Sequence, residues 1–318
     1  MASKNLIVVV GSINMDFVVR TPRIPSAGET LLGEGIATLP GGKGANQAVA
    51  AAKLARQGTS VHLVGRVGDD DFGQRLLNGL SAHHVDTRHV TVSEGTPSGA
   101  AVILVDQQGE NTIIVAAGAN TKVSTRDVDR AESLIAGATA VVVQMEIPAD
   151  TVSHVIAMCR RLGVYVILDP APVPPGGLGA SFFAVDVLAP NEHEAEALLH
   201  DDVNSAAHWE HPDDVKIIGS RLLSRGAKAV ALKRGRRGAL LMDRAGTIES
   251  FEGFKAKVVD TTAAGDAFVG ALAVGRAEGM ELLQAVRFAN AAGAACCESF
   301  GAQPALPTRQ AVERQLEY

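Results

Sequence analysis

The chain has 318 residues, 47% hydrophobic and 20% charged, a composition that excludes a disordered or fibrous protein and fits a well-buried globular one. Its formal charge is −6, from 29 Lys and Arg against 35 Asp and Glu, and the signs are interspersed, so no basic face points to nucleic acid or an anionic membrane as a partner. Three cysteines, Cys159, Cys296 and Cys297, form neither a disulfide framework nor a metal-type spacing, and no run approaches the ~18 apolar residues of a membrane span, so a reducing, cytoplasmic setting is expected.

In chain order, the first apolar run, "LIVVVGS" (6–12), reads as a buried strand that ends in the polar stretch "GSINMD", with Gly11, Ser12, Asn14 and Asp16. Residues 16–39 follow as short alternating strands. "PGGKGANQAVAAAKLA" (40–55) then opens a helix of small residues over 44–57 on tight glycine turns. A strand at 61–68 and a helix at 71–83 come next, and a second alternating stretch, 98–117, carries the hairpin signal "QQGEN". Helix patterns at 125–137, 150–162, 192–199 and 213–225 alternate with strands at 140–146, 165–170, 185–191 and 229–235. The polar stretch 200–214, with His200, His208 and His211, matches no standard metal-ligand spacing and reads as an exposed loop. A strand "KAKVV" (255–259), "DTTAAGDAF" (260–268) and helices at 266–278 and 281–299 complete the pattern.

Continuous apolar strands separated by helices predict an α/β protein: a three-layer α/β/α, doubly wound, mainly parallel sheet in one domain spanning the chain. The inserted segments at about 16–39 and 98–117 form either an extension of that sheet or a small β-sheet lid.

In an open parallel sheet, ligands bind beyond the carboxyl ends of the strands, and four predicted strand ends there carry amides or carboxylates: "GSINMD", "QMEIP" with Glu146, "PNEHE" with Asn191 and Glu194, and the "DTTAAGD" turn. The loop around Gly42, Lys43 and Asn46 lacks the Ser or Thr of a Walker A loop and read alone serves equally as a helix-packing turn or a binding loop. At the second glycine-containing turn, the backbone amides of Ala263, Ala264, Gly265 and Asp266 should project from a positive helix end. An acid in the first turn merely complements the helix dipole. Capping alone, however, does not explain the run of small residues before Asp266, whereas an anion hole beside a carboxylate that orients a hydroxyl is what phosphoryl transfer requires.

"DTTAAGDAFVGAL" and "GGKGANQAVAAAKLA" resemble the paired signatures of the ribokinase-like sugar kinases, and "GSINMD", "DPAP" (169–172), "PNEHEAEAL" and "GAQPA" (301–305) are similar to the ribose-phosphorylating branch of that family. The resemblance runs from about Leu6 to Pro304. It implies a lid that also joins two subunits of a homodimer, and ATP-dependent phosphorylation of D-ribose at its 5-hydroxyl, with 2-deoxyribose, a ketose or a nucleoside as alternative acceptors and a non-catalytic sugar-binding regulator as the rival class. It makes Asp266 the catalytic base and the Ala263–Gly265 amides the anion hole. Asn14, Asp16, Gly42, Lys43, Asn46 and Glu146 would hold the sugar. Asn191, Glu194, Lys233, Gly235, Arg236, Gly238, Gly265 and Asn290 would face the nucleotide, with Glu194 reaching Mg²⁺ through water. A monovalent cation, K⁺, would be held through Asp260, Thr262, Cys296, Ser299, Gly301 and Ala305. The chain departs from the family pattern at Ala305, where Ser is expected, at Lys233-Arg234, where Thr and an aliphatic residue are usual, and at Asp169, where Asn is common.

Overall fold

The computed structural model describes residues 5–108, 111–199 and 212–317, so the histidine-bearing stretch 200–211 lies outside the described residues. Strand β1 (Leu6–Val10) shows why the apolar runs are continuous: Ile7 and Val9 pack into one core and Val8 and Val10 into another, all four fully buried. Around it lie β4 (Ser60–Gly68) and β5 (Val85–Ser93) on one side, and β8 (Ala140–Gln144), β9 (Val166–Asp169), β10 (Val187–Leu188) and β11 (Ala229–Lys233) on the other, every neighbouring pair parallel. The sheet finishes with two antiparallel strands, β12 (Ala239–Asp243) and β13 (Ile248–Phe251). Strand order therefore reverses at β1, and the polar residues after β1 and β8 meet at that switch point.

Helices cover both faces. The Ile7 and Val9 side takes α1 (Lys43–Leu54), α2 (Asp71–Ala82), α8 (Ala264–Ala277), α9 (Leu282–Cys296) and α10 (Arg309–Leu316). The Val8 and Val10 side takes α3 (Thr125–Arg130), α4 (Glu132–Ala136), α5 (Ala149–Leu162), α6 (Glu192–Leu198) and α7 (Pro212–Arg225). The expected three-layer α/β/α architecture is what forms. Among the described residues no helix is long and apolar enough to cross a membrane.

A second, four-stranded sheet stands apart from the first, in the order β3 (Gly35–Gly41), β2 (Asn14–Arg20), β6 (Gly99–Val105), β7 (Asn111–Ala116). It is built from the two alternating segments, with β2 antiparallel to β3 and parallel to β6, and register Asn14 opposite both Gly41 and Gly99. Of the two readings left open for these segments, extension of the main sheet is the one the topology excludes.

Three local expectations need correction. Residues 255–259 are not a strand: the ladder stops at Phe251, Val258 and Val259 are exposed, and the Val259 amide donates instead to the Cys297 carbonyl at the end of α9. The predicted helix 125–137 is interrupted at Ala131, whose backbone (φ −94°, ψ 4°) leaves the helical region between α3 and α4. The helix expected to 57 stops at Leu54, because Ala55 is extended.

The contact between α1 and α8 positions the chemistry described below. A Cβ added to Gly270 would stand 2.7 Å from Ala50 Cβ and 2.9 Å from the Gln47 carbonyl oxygen, closer than packed atoms tolerate. Gly270→Val is therefore expected to lower the unfolding free energy by about 1–3 kcal/mol, read as a reduced urea midpoint at unchanged slope. An unchanged midpoint would show that the helices separate without cost.

Candidate active site

The glycines of "GGKGAN" bring α1 against the end of β1. A Cβ on Gly44 would lie 2.6 Å from the Gly11 carbonyl carbon and the Ser12 nitrogen, and Gly42 has φ 86°, which glycine adopts without strain. The close approach lets the Ala45 amide donate to the Ser12 carbonyl at 2.9 Å and the Gly44 amide to Ser12 Oγ at 3.3 Å. Ser12 Oγ in turn donates to Glu146 Oε2 at 2.5 Å, and the same oxygen accepts from the Lys43 amide at 3.1 Å. Glu146, beyond the end of β8, is thus pinned to the positive end of α1. Asn14 is buried and held by Asn120, whose Nδ2 donates to Asn14 Oδ1 at 2.7 Å.

The other glycine turn behaves as its composition suggests, with one difference. Ala263 takes the left-handed conformation (φ 60°) and starts α8 without a side-chain cap. The Ala264 amide is spent on the Thr261 carbonyl at 3.3 Å, so the amides of Gly265 and Asp266 are the ones left without a helical acceptor. Asp266 is only 5% exposed, and both of its oxygens accept from α1: Oδ2 from Asn46 Nδ2 at 2.9 Å and Oδ1 from Gln47 Nε2 at 3.0 Å.

Burial pushes the Asp266 carboxyl up to about 6, with Lys43 and the Asn46 and Gln47 hydrogen bonds opposing and Asp169 reinforcing the rise. Asp16 is pushed up to about 7, by burial first and then by Glu146 and Asp266. Burial works against the Lys43 ammonium, yet Asp266, Asp169, Glu146 and Glu194 together outweigh it and hold the lysine charged. Asp16 and Asp266 are thus coupled acids whose charged forms burial disfavours, and Lys43 is the cation that favours the Asp266 carboxylate.

Two cavities open on this cluster. A cleft of about 600 Å³ between the small sheet and the 258–262 turn is lined by Asp16, Leu39, Asp260, Thr262 and Gly301. A second, of about 710 Å³, is lined by Lys43, Asp266, Ala263, Ala264 and all eight residues expected at a nucleotide, from Asn191 to Asn290. Of the residues expected at a sugar, Asp16 lines the first and Lys43 and Asp266 the second. Asn14, Gly42, Asn46 and Glu146 sit in the buried or hydrogen-bonded layer around them.

The run "KRGRRG" divides. Arg234 and Arg237 pair with Glu192 on α6, while Arg236 lines the second cavity. Lys233 turns inward to Asp169, Nζ to Oδ1 2.7 Å, so two of the positions that depart from the family pattern form one ion pair. Glu194 closes a capping box with Asn191, and Asn290 Nδ2 donates to the Glu252 carbonyl at 2.8 Å.

The turn at Asp260 is cross-tied. Its carboxylate accepts from the Thr262 amide at 2.9 Å, Thr262 Oγ1 at 2.7 Å and the Gly301 amide at 2.9 Å, and Cys296 Sγ lies 3.6 Å from the Thr262 carbonyl oxygen. The Ser299 amide donates to the Cys296 carbonyl, and the Ala305 amide to that of Ala302. Among the described residues no group of three or more His, Cys, Asp or Glu could hold a metal ion by itself.

Gln47, Gln144 and Asn120 also belong to the site, although no motif in the sequence marks them. Their only signal is a buried amide in apolar surroundings: Gln47 beside Asn46 in an alanine-rich helix, and Gln144 closing a strand that reads Ala-Val-Val-Val.

Comparison with known proteins bears on this geometry. The family model for "pfkB family carbohydrate kinase" matches residues 4–309. A ribokinase of Bacillus subtilis (strain 168) is 39% identical over 310 residues, covering 98% of this chain and 99% of that protein, and one of Schizosaccharomyces pombe is 40% identical, covering 95% of each. Among solved structures, Arabidopsis thaliana ribokinase complexed with ribose and ATP superposes with TM-score 0.86 at 33% identity and 99% coverage of both chains.

Proposed function

We propose that this chain, which belongs to the pfkB family of carbohydrate kinases, transfers the terminal phosphoryl group of ATP to the 5-hydroxyl of D-ribose, giving D-ribose 5-phosphate and ADP. The observation that carries the reading is the position of Asp266. It is a buried carboxylate at the open amide end of α8, oriented by Asn46 and Gln47 and lining the cavity that also holds Asn191, Glu194 and Gly265.

In this reading the sugar enters the cleft beside Asp16, Asn14, Lys43 and Glu146, whose fixed acceptors and donors suit an array of hydroxyls. Asp266 accepts the proton of the attacking hydroxyl, which its raised pKa makes it able to do near neutral pH. The free amides of Gly265 and Asp266, with Lys43, face the charge that builds on the transferred group.

Mg²⁺ suits the site only as part of the nucleotide, since of the two carboxylates lining that cavity Glu194 already caps α6 and Asp266 is held by Asn46 and Gln47. When bound, it neutralises phosphate charge. The Asp260, Thr262, Cys296 and Gly301 cluster gathers oxygens on a hydrogen-bonded turn ahead of α8, a donor type that fits K⁺, and Ala305 removes one possible hydroxyl from it. The same reading makes the small sheet a lid. Its exposed Ile36, Ile113, Ile114 and Val115 suit burial in a homodimer, and the three free cysteines suit a cytoplasmic setting.

The test is an ADP-release assay with Mg²⁺, run in parallel with sodium and potassium. Ribose is expected to outperform 2-deoxyribose, fructose and adenosine in kcat/KM, and potassium to raise turnover above sodium. A better rate with any rival acceptor would replace ribose in the assignment, and equal rates in the two salts would remove the cation loop from it.

A further inference from the structure

The Lys233 ammonium does more than face a nucleotide cavity. It donates to Asp169 Oδ1 at 2.7 Å, stands 3.8 Å from Glu194 Oε2, and lies 3.6 Å from the point where a Cβ on Gly265 would be. Asp169, 1% exposed, closes β9, and its second oxygen accepts from Gln47 Nε2 at 2.9 Å. The same amide nitrogen donates to Asp266 Oδ1 at 3.0 Å, while Gln144 Nε2 donates to Gln47 Oε1 at 2.6 Å and so keeps the amide's nitrogen turned toward both carboxylates. A single buried amide thus bridges the carboxylate at the head of α8 and a carboxylate whose charge Lys233 balances.

We propose that Lys233 is a positioning residue for phosphoryl transfer: by neutralising Asp169 through an ion pair, it lets the Gln47 amide serve Asp266 in its ionised form. The inference rests on the reading of Asp266 as the base. An Asp169–Lys233 pair exerts the weak field of a dipole on Asp266, whereas Asp169 alone would be a full negative charge one amide away, in a low-dielectric interior. The remaining groups facing Asp266 are Lys43 and Asn46 on α1, which favour its charge, Asp16 on β2, which opposes it, and Cys296 on α9, a thiol kept neutral by burial. None of these residues is itself altered by a substitution at Lys233 or Asp169.

The sign follows. Without Lys233 the anionic form of Asp266 is disfavoured, so the base ionises at higher pH; without Asp169 the ammonium keeps only the more distant Glu194 as its counter-charge and favours the Asp266 anion, so it ionises at lower pH. The experiment is the pH profile of kcat/KM for ribose at saturating MgATP. Lys233→Met is expected to move the acid limb up by about one pH unit and Asp169→Asn to move it down, with the double variant returning it toward wild type. Lys233→Arg, which keeps the charge, should leave the limb near its wild-type position. A purely structural or purely nucleotide-binding lysine would raise the KM for ATP or lower the yield of folded protein without moving the limb, and that result, or shifts of the same sign in both single variants, would overturn the proposal. A wild-type profile with no acid limb would overturn the base assignment itself, and this role with it.

Discussion

Asp266→Asn is expected to lower kcat by about 10²–10⁴-fold while leaving ribose binding largely unchanged, the size of effect a general base contributes. The substitution keeps the shape of the side chain, its place at the start of α8 and an oxygen that can accept from Asn46 or Gln47. What it removes is the basic carboxylate held between those donors. Because an interaction made chiefly in the transition state is lost, the fall should appear in kcat and not in the calorimetric Kd for ribose. Burial raises the Asp266 pKa, so the wild-type rate should fall as pH drops through about 6, and the residual rate of the variant should lack that limb. A variant with near-normal turnover would show that the hydroxyl loses its proton elsewhere.

Lys43→Met carries the second large effect. Its ammonium stands among Asp266, Asp169, Glu146 and Glu194, and is held charged by them against the cost of burial. Removing it takes away the cation those four carboxylates share, and two of them, Asp266 and Glu194, line the cavity that would take a polyanionic nucleotide. Two consequences add: weaker stabilisation of charge on the transferred group, and protonation of carboxylates that must stay ionised. A loss of about 10²–10³ in kcat/KM for ATP is expected, comparable to deleting one preorganised donor from an anion hole. Lys43→Arg should recover part of it. If Lys43→Met instead changed kcat/KM by less than about threefold, the lysine would be a structural partner of Glu146 and no more.

Much of the architecture could be read from residue order, for a physical reason. Strands buried on both faces must be apolar throughout, so β1, β8 and β9 announce themselves, as do the helices whose small residues let α1 and α8 pack closely. Strands at the sheet edges do not: β5 mixes Asp, Thr, Arg and His with valines because one side is half exposed, and β12 and β13 form an antiparallel hairpin outside the alternating pattern. "KAKVV" has the composition of a strand but joins neither sheet: the Val259 amide donates to the Cys297 carbonyl at the end of α9 instead. The two glycine turns and the strand-end carboxylates were legible as a candidate site because their chemistry is local. Gln47 and the Asp169–Lys233 pair were not, since their meaning depends on which face of α1 meets α8 and on a contact between residues 64 positions apart.

The most direct test of the account is to follow ribose, ATP and Mg²⁺ with the wild-type protein by ³¹P NMR. The expected result is loss of the terminal phosphate signal of ATP matched by equal amounts of ADP and of a phosphomonoester on the 5-carbon of ribose. ADP accompanied only by inorganic phosphate, or by a phosphate on another carbon, would contradict a site in which Asp266 delivers the sugar's 5-hydroxyl to the nucleotide.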